Sequence, residues 1–542
     1  MMARIRSLPW PVLIGIILLL MHGFVNSTLS FFYQDEAAYA GFGLTMIQTD
    51  NWLIPEFEWS SIHRKPPLYF WLIASSYSLF GVSEFTMRLP ALLSLIGLYA
   101  TLWFWGKRIL GPRIAGWSVL VLSTSLFVPL LGIMALVDAP LLLMSTLAAC
   151  CIYTVLQSPH NHWRAIFGFW ACISAGVLLK GPPIIIFGGM LGLLALILHP
   201  QRWRLLSLHP WIFGPLSLLP FALWGYATAR VDNGALLTWM LDWYVLRRIN
   251  GSTLGHWGPP GYYTLSFLLF FMPYALFIPQ AVVQGWRWIK QRHAVGLWIV
   301  AWFLAGWVFY ELSPSKLPAY VVTAHVPLAI AIAYSITTYL DYRPIALRTG
   351  QIVHGCITGL WLLILWLVPT YFGFTYTSVI IAGMTLGAGY LGYRIRYAIR
   401  ANQPDNVVKS TVIQGLGFML VFWVLLVPMC DSVKSAPRSM ARYLHQTVPA
   451  STPIIVAHTQ YDPIHLLVYL SEHFETITVF KSPETLVDYY QDNPTSVFVL
   501  SDAQFHTLQT SIPALTGRRF GPPDQPNMPV LRYTVVIPAT AQ

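Results

Sequence analysis

The chain has 542 residues, 56% hydrophobic and 10% charged, whereas soluble domains carry about a quarter charged residues. A single soluble core is therefore excluded, and the composition is that of an integral membrane protein. The net charge of +11 does not signal nucleic acid, because the cations sit between apolar runs in the positive-inside pattern; they also suit anionic lipid head groups.

In chain order, the first apolar run follows MMARIRSLPW and reads as a retained helix, with no small-residue cleavage site after it. Hydropathy then gives about thirteen spans by the 20-residue criterion. They fall near 11–30, 88–105, 114–134, 139–157, 165–180, 182–199, 211–229, 262–283, 294–311, 318–340, 351–370, 376–392 and 411–430. Loops with Arg4 and Arg6, Lys107 to Arg113, Arg202 and Arg204, Arg287 to Arg292, and Arg394 to Lys409 are the richer in cations. Those loops are expected to be cytoplasmic, so Asp35 and the C-terminus face outward. Residues 31–87 form a long outward loop whose KPPLYFWLIASSYSLF reads as a proline-started interfacial helix. Residues 230–262, rich in Trp, Tyr, Gly and Pro, suit a second loop at head-group depth.

The chain divides into a membrane domain, 1–431, and a smaller domain, 432–542, outside the membrane. In the second, TPIIVAH, TITVF, TSVFVL and VLRYTVVIP read as short strands, with helix-like PIHLLVYLSEHF and SPETLVDYYQDN between them. The expected fold class is thus mainly α, a polytopic membrane protein with interfacial helices and a small C-terminal α/β domain. The five cysteines, Cys150, Cys151, Cys172, Cys356 and Cys430, lie in or beside apolar runs and form neither a disulfide framework nor a metal motif.

Polar residues recur at the outward loops. Asp35 and Glu36 open the first, followed by HRKPPLYFW; ALVDAP places Asp138 at the next and LLKGPP places Lys180 after it. Then come WYVLRRINGSTLGHWGPP, with Arg247, Arg248 and His256, and ELSPSKLPAY, with Lys316 and Tyr320. Singly, each has an ordinary explanation. The acids could be helix ends in water, the lysines interface anchors or snorkelling chains, the arginines a solvated turn, and His256 a loop histidine. Together they suit a particular chemistry. A carboxylate at the membrane surface can act as general base on a hydroxyl, and nearby Lys and Arg can hold a departing phosphate. Glycosyl transfer from a polyprenyl-phosphate sugar needs that combination.

DEAAYA, HRKPPLYFW, ALVDAP, LLKGPP, LGHWGPPGYY and SKLPAY, in this order and spacing, resemble the GT-C membrane glycosyltransferases, in particular the lipid A aminoarabinose transferase branch related to protein O-mannosyltransferases. The resemblance covers about residues 10–330. It implies a helical membrane body, a catalytic acid at Asp35 and a second acid at Asp138. It further implies donor-phosphate contacts at Lys65 and Tyr320, with Lys316 close by, and a histidine, His256, able to contact a metal. Arg64, Arg247 and Arg248 join the phosphate-binding candidates, with Glu36 and Lys180 in support. No cofactor follows from the residues themselves; a divalent metal ion enters only through His256. Two departures stand out: the branch usually reads DE-x-R-Y-A, where this chain has Ala38, and usually has an acid before KPP, where this chain has Arg64. The resemblance therefore implies the reaction class and leaves the sugar open. The expected partners are a polyprenyl-phosphate sugar, a lipid, glycan or protein acceptor, and membrane lipids; the expected place is the bacterial inner membrane. A transporter or flippase of lipid-linked sugars is the alternative, and it would want ionisable residues at mid-membrane.

Overall fold

The structure, a computed structural model, describes residues 10–30, 34–157, 162–247, 256–338, 344–371, 378–457, 463–480, 485–521 and 532–538. Among the described residues, seven helices are long and apolar enough to cross a bilayer: Glu84–Ile109, Asp138–Gln157, Trp163–Lys180, Pro210–Asp232, Ala294–Leu312, Pro318–Thr337 and Ala346–Tyr371. The chain is a multi-pass membrane protein. Trp10–Asn26 and Pro182–Leu198 are apolar helices of 17 residues each, about 26 Å at 1.5 Å per residue. At LLKGPP, one helix ends on Lys180, Gly181 takes φ 79°, and Pro182 starts the next. That φ is open to glycine at little cost, and proline suits a first helical position.

Two expected spans are broken. Residues 114–134 form Pro112–Ser123 and the short Phe127–Leu131, because the Thr124 and Ser125 hydroxyls donate back to the carbonyls of Leu120 and Leu122. Residues 262–283 form Tyr262–Phe270 and Tyr274–Gln291, bent by 120° at Pro273, which has no N–H to continue the ladder. The two breaks meet. Leu126 N donates to Phe270 O at 2.8 Å, and the hydroxyls of Thr124 and Tyr274 lie 2.8 Å apart. Irregular backbone among membrane helices is thus satisfied by protein, as a water-free setting requires. Within the expected loop 230–262, the described residues 230–247 are largely helical. The Asp232 carboxylate accepts from Gly234 N and Leu236 N and starts the helix Ala235–Leu241, followed by a wider turn over Asp242–Leu246.

Beyond Val427–Lys434 the chain passes directly into Ala436–Thr447 and a five-stranded sheet. Its strands are β1 (Ile454–Ala457), β2 (Ile477–Phe480), β3 (Val497–Leu500), β4 (Arg518–Phe520) and β5 (Tyr533–Val536). The order is β2-β1-β3-β5-β4, with β1 parallel to β2 and β3 and β5 antiparallel to β3 and β4. The four expected strands are present; β4 carried no apolar alternation to reveal it.

Two apolar cores position the candidate site. One joins the membrane helices around Trp298, Trp302 and Phe277. The other runs from the segment between the first apolar helix and Glu84–Ile109 into the C-terminal sheet, with Tyr39, Phe42, Phe70 and Ile73 sharing it with Ile464, Leu467 and Val497. Helix Gln34–Thr49 therefore lies between helix Leu68–Phe80 and helix Ile464–Ser471. Gly43 permits the first approach, since a Cβ there would sit 2.5 Å from Ile73 Cγ2.

Candidate active site

Asp35 stands in the first turn of Gln34–Thr49, where a carboxylate also faces the positive end of the helix dipole. Its side chain keeps 37% of its surface exposed, and Oδ1 lies 2.9 Å from His63 Nε2. Ser60 Oγ, 2.6 Å from His63 Nδ1, orients the ring from the other side. Burial pushes the Asp35 carboxyl up, but the His63 hydrogen bond and the charges of His63, Lys65 and Lys180 outweigh it. The net effect holds Asp35 below the usual aspartate value.

Lys65 follows two residues after His63, directly before Pro66 and Pro67. Its Nζ donates to Tyr244 OH at 2.6 Å and lies 4.4 Å from that ring's centre. Tyr244 OH in turn donates to Arg64 O at 2.7 Å, tying the two segments together. Lys180 Nζ reaches Asp138 Oδ1 at 2.6 Å. The sequence-derived residues Asp35, Lys65, Asp138 and Lys180 are thus gathered with His63 into one polar cluster: two acids, two lysines and a histidine. Arg64 is half-buried nearby in sequence, and its Nε has no hydrogen-bond partner. An unsatisfied guanidinium N–H is costly unless something completes it.

Other candidates have different surroundings. Glu36 is fully buried, which removes the reading of it as a solvated neighbour. Arg88 Nε and Nη2 donate to its two carboxylate oxygens at 2.8 and 3.1 Å, and Ala135 N donates to Oε1 at 2.9 Å. Arg88 also donates to the carbonyls of Asn26, Leu29 and Ser30. Lys316 is 4% exposed, and its amine caps the end of Ala294–Leu312 through the carbonyls of Tyr310 and Glu311, a cation placed where the helix dipole favours one. Burial lowers the pKa of this amine, and Glu311 partly offsets that. Tyr320 lies in the turn Pro318–Val321 with its ring 5.7 Å from Tyr310. Arg247 is exposed, paired with Asp242 at 2.8 Å and stacked on Trp243; Arg248 lies outside the described residues.

The donor set does not fit a metal ion. Among the described residues no three His, Cys, Asp or Glu side chains group to hold one. Arg64 is a cation where a carboxylate ligand would be wanted, and His256 enters the site's framework through its carbonyl, which accepts from Lys316 N at 2.6 Å.

Sequence reasoning missed His63, Ser60, Tyr244 and Arg88. His63 sits two residues before Lys65 in HRKPP, but nothing local says that it reaches back to Asp35. The Glu36–Arg88 pair joins residues 52 positions apart and leaves no signal beyond two charges near apolar runs.

Set beside known proteins, the chain is similar to membrane glycosyltransferases in sequence and in fold. A family model described as dolichyl-phosphate-mannose-protein mannosyltransferase matches residues 64–226. The solved structure of ArnT from Cupriavidus metallidurans bound to undecaprenyl phosphate superposes with a TM-score of 0.75 at 18% identity, covering 98% of this chain and 99% of that one. The archaeal oligosaccharyltransferase AglB from Archaeoglobus fulgidus shares the fold more distantly, with a TM-score of 0.51 at 11% identity over 98% of this chain and 76% of its own. In sequence, the undecaprenyl phosphate-alpha-4-amino-4-deoxy-L-arabinose arabinosyl transferase of Edwardsiella ictaluri is 27% identical over 59% of this chain. That match spans 58% of the relative's length. A protein of the same name from Shewanella sediminis is 23% identical over 77% of this chain and 76% of its own.

Proposed function

We propose that the chain is an inner-membrane glycosyltransferase that moves a sugar from a polyprenyl-phosphate donor, of the undecaprenyl type named for its relatives, to a hydroxyl of an extracytoplasmic acceptor such as a lipid A-like lipid. The observation that carries this reading is the half-open Asp35 carboxylate, held by His63 and set among Lys65 and Lys180. Asp35 takes the acceptor's proton as the acceptor oxygen bonds to the anomeric carbon. The bond from that carbon to the phosphate oxygen breaks, and its electron pair leaves with the polyprenyl phosphate. General-base assistance of this kind is worth roughly 10²–10⁴-fold. Lys65 and Lys180, with Arg64, neutralise the leaving phosphate, and attack from the face opposite to it inverts the anomeric centre. Asp138 shares Lys180 and keeps that amine directed at the cluster.

The loop charges support a cytoplasmic N-terminus and an outward-facing cluster. The C-terminal domain packs on the segment that carries Asp35, so it belongs to that same side. The relatives described are transferases by name, which favours transfer over transport. Proteoliposomes containing the full chain and a polyprenyl-phosphate sugar test this: inverted glycoside and free polyprenyl phosphate should accumulate together. Translocation of the intact donor with no product would overturn the reading.

A further inference from the structure

The C-terminal domain carries a second polar site, separate in its residues from the Asp35 cluster. Helix Ala436–Thr447 buries Ala436, Pro437, Met440, Ala441 and Leu444 against the domain. Its opposite face repeats polar residues at helical spacing, and with β4 it lines an open groove of about 450 Å³, within the usual range for ligand sites. The groove is lined by Arg438, Arg442, Arg518, Ser439, Tyr443 and Phe520, among others, and by no acid.

The three arginines are not equivalent. Arg438 is spoken for: it donates to Thr28 O at 2.8 Å and pairs with Asp431 at 3.2 Å and Glu84 at 3.5 Å. Arg442 is exposed and has Glu472 among its electrostatic neighbours, but among the described residues neither it nor Arg518 forms a salt bridge. The Arg518 guanidinium lies 4.2 Å from the Tyr443 ring centre and 5.6 Å from that of Phe520, and the two rings are 5.3 Å apart. A guanidinium held on aromatic faces is pre-organised and weakly hydrated, which suits it to bind phosphate through its edge. Cations of one sign lining a concave wall also concentrate the field on an incoming anion.

The groove's position says which anion. Arg438 fastens its floor to Thr28, two residues beyond the apolar helix Trp10–Asn26, and the lining helix begins directly after the last run from the membrane, Val427–Lys434. The groove is thus joined to the ends of two apolar segments, where lipid head groups are the nearest anions.

We propose that this groove binds the phosphomonoester head group of a membrane lipid, through Arg442 and the ring-stacked Arg518, at a site distinct from the Asp35 cluster. Native mass spectrometry of the detergent-solubilised full chain with dihexanoyl phosphatidic acid tests it, with dihexanoyl phosphatidylcholine and inorganic phosphate as the comparison probes. Phosphatidic acid should bind, and Arg442→Gln with Arg518→Gln should weaken it at least about tenfold, as loss of charge-assisted bonds implies. Ser439→Trp, an exposed position whose ring would fill the groove without removing a charge, should weaken it likewise. The loss should persist in a Lys65→Ala background, where the donor cluster is already disturbed. Unchanged binding in both groove variants would overturn the proposal. So would equal binding of phosphatidylcholine, or inorganic phosphate binding as tightly as the lipid, which would mean a site for free anions. A loss that vanishes in the Lys65→Ala background would assign the phosphate to the donor cluster instead.

Discussion

Asp35 shows how a single carboxylate can be both partly enclosed and kept ionised. Enclosure alone favours the protonated acid, while a hydrogen-bonded histidine and two lysines favour the anion, and in this site the second group prevails. A base of this kind works while ionised, so activity is lost as pH falls through its folded pKa. Because that value lies below the ordinary aspartate value of about 3.9, the acid limb due to Asp35 should lie below it too. His63→Ala removes the bond and the charge but leaves the enclosure. The acid limb of kcat/KM against pH should then move upward, and a profile superimposable on the wild type would remove His63 from this role. The acids of DEAAYA and the lysines of KPP and LLKGPP were legible because they interrupt apolar sequence. His63 was visible in the same motif, yet its partner is 28 positions back, a contact fixed by tertiary packing and by no local pattern.

At the scale of elements, the Asp35 helix is pinned by the residue next to it. Glu36 and Arg88 form a fully buried pair whose remaining donors and acceptors meet four further backbone groups, at Asn26, Leu29, Ser30 and Ala135. The end of the first apolar helix, the start of Gln34–Thr49, helix Glu84–Ile109 and the segment before Asp138 converge there. Breaking one side of a buried pair leaves an uncompensated charge and costs about 3–5 kcal/mol. Arg88→Ala should therefore lower the thermal midpoint of the detergent-solubilised chain clearly, and Glu36→Gln less so; a midpoint unchanged by Arg88→Ala would show that the pair does not hold these segments. Of the thirteen expected spans, seven coincide with helices long and apolar enough to cross a bilayer among the described residues, and hydropathy did not reveal the breaks at Thr124–Leu126 and Phe271–Pro273. A window average registers apolar length, whereas the breaks depend on hydroxyl back-bonding and on a proline's missing N–H. Lys316 illustrates the same limit: its sequence position suggested a phosphate ligand, and its amine is directed at a helix end.

For the whole molecule, the C-terminal domain is continuous with the site rather than hung beside it. Its helix Ile464–Ser471 shares a core with the Asp35 helix, Gln48 Nε2 donates to Ser471 O at 2.7 Å, and Tyr469 OH donates to Glu84 Oε1 at 3.2 Å. Arg438 closes the arrangement by joining Thr28, Glu84 and Asp431. The strands were legible from short alternating runs after residue 432; where the sheet and its helices dock was not, because long-range packing leaves no periodicity. Arg438→Ala should loosen the docking. Faster amide exchange is expected in both 34–49 and 464–471, since local opening tracks the contacts that oppose it. Unaltered exchange in both segments would mean that the apolar core alone holds the domain.

Whether Asp35 is the base for sugar transfer is tested by comparing Asp35→Asn with the wild type in reconstituted membranes, following both turnover and donor binding. Asparagine keeps the shape and cannot take the proton. Turnover should fall about 10²–10⁴-fold with donor binding retained, whereas near-normal turnover in Asp35→Asn would remove Asp35 from the role of base.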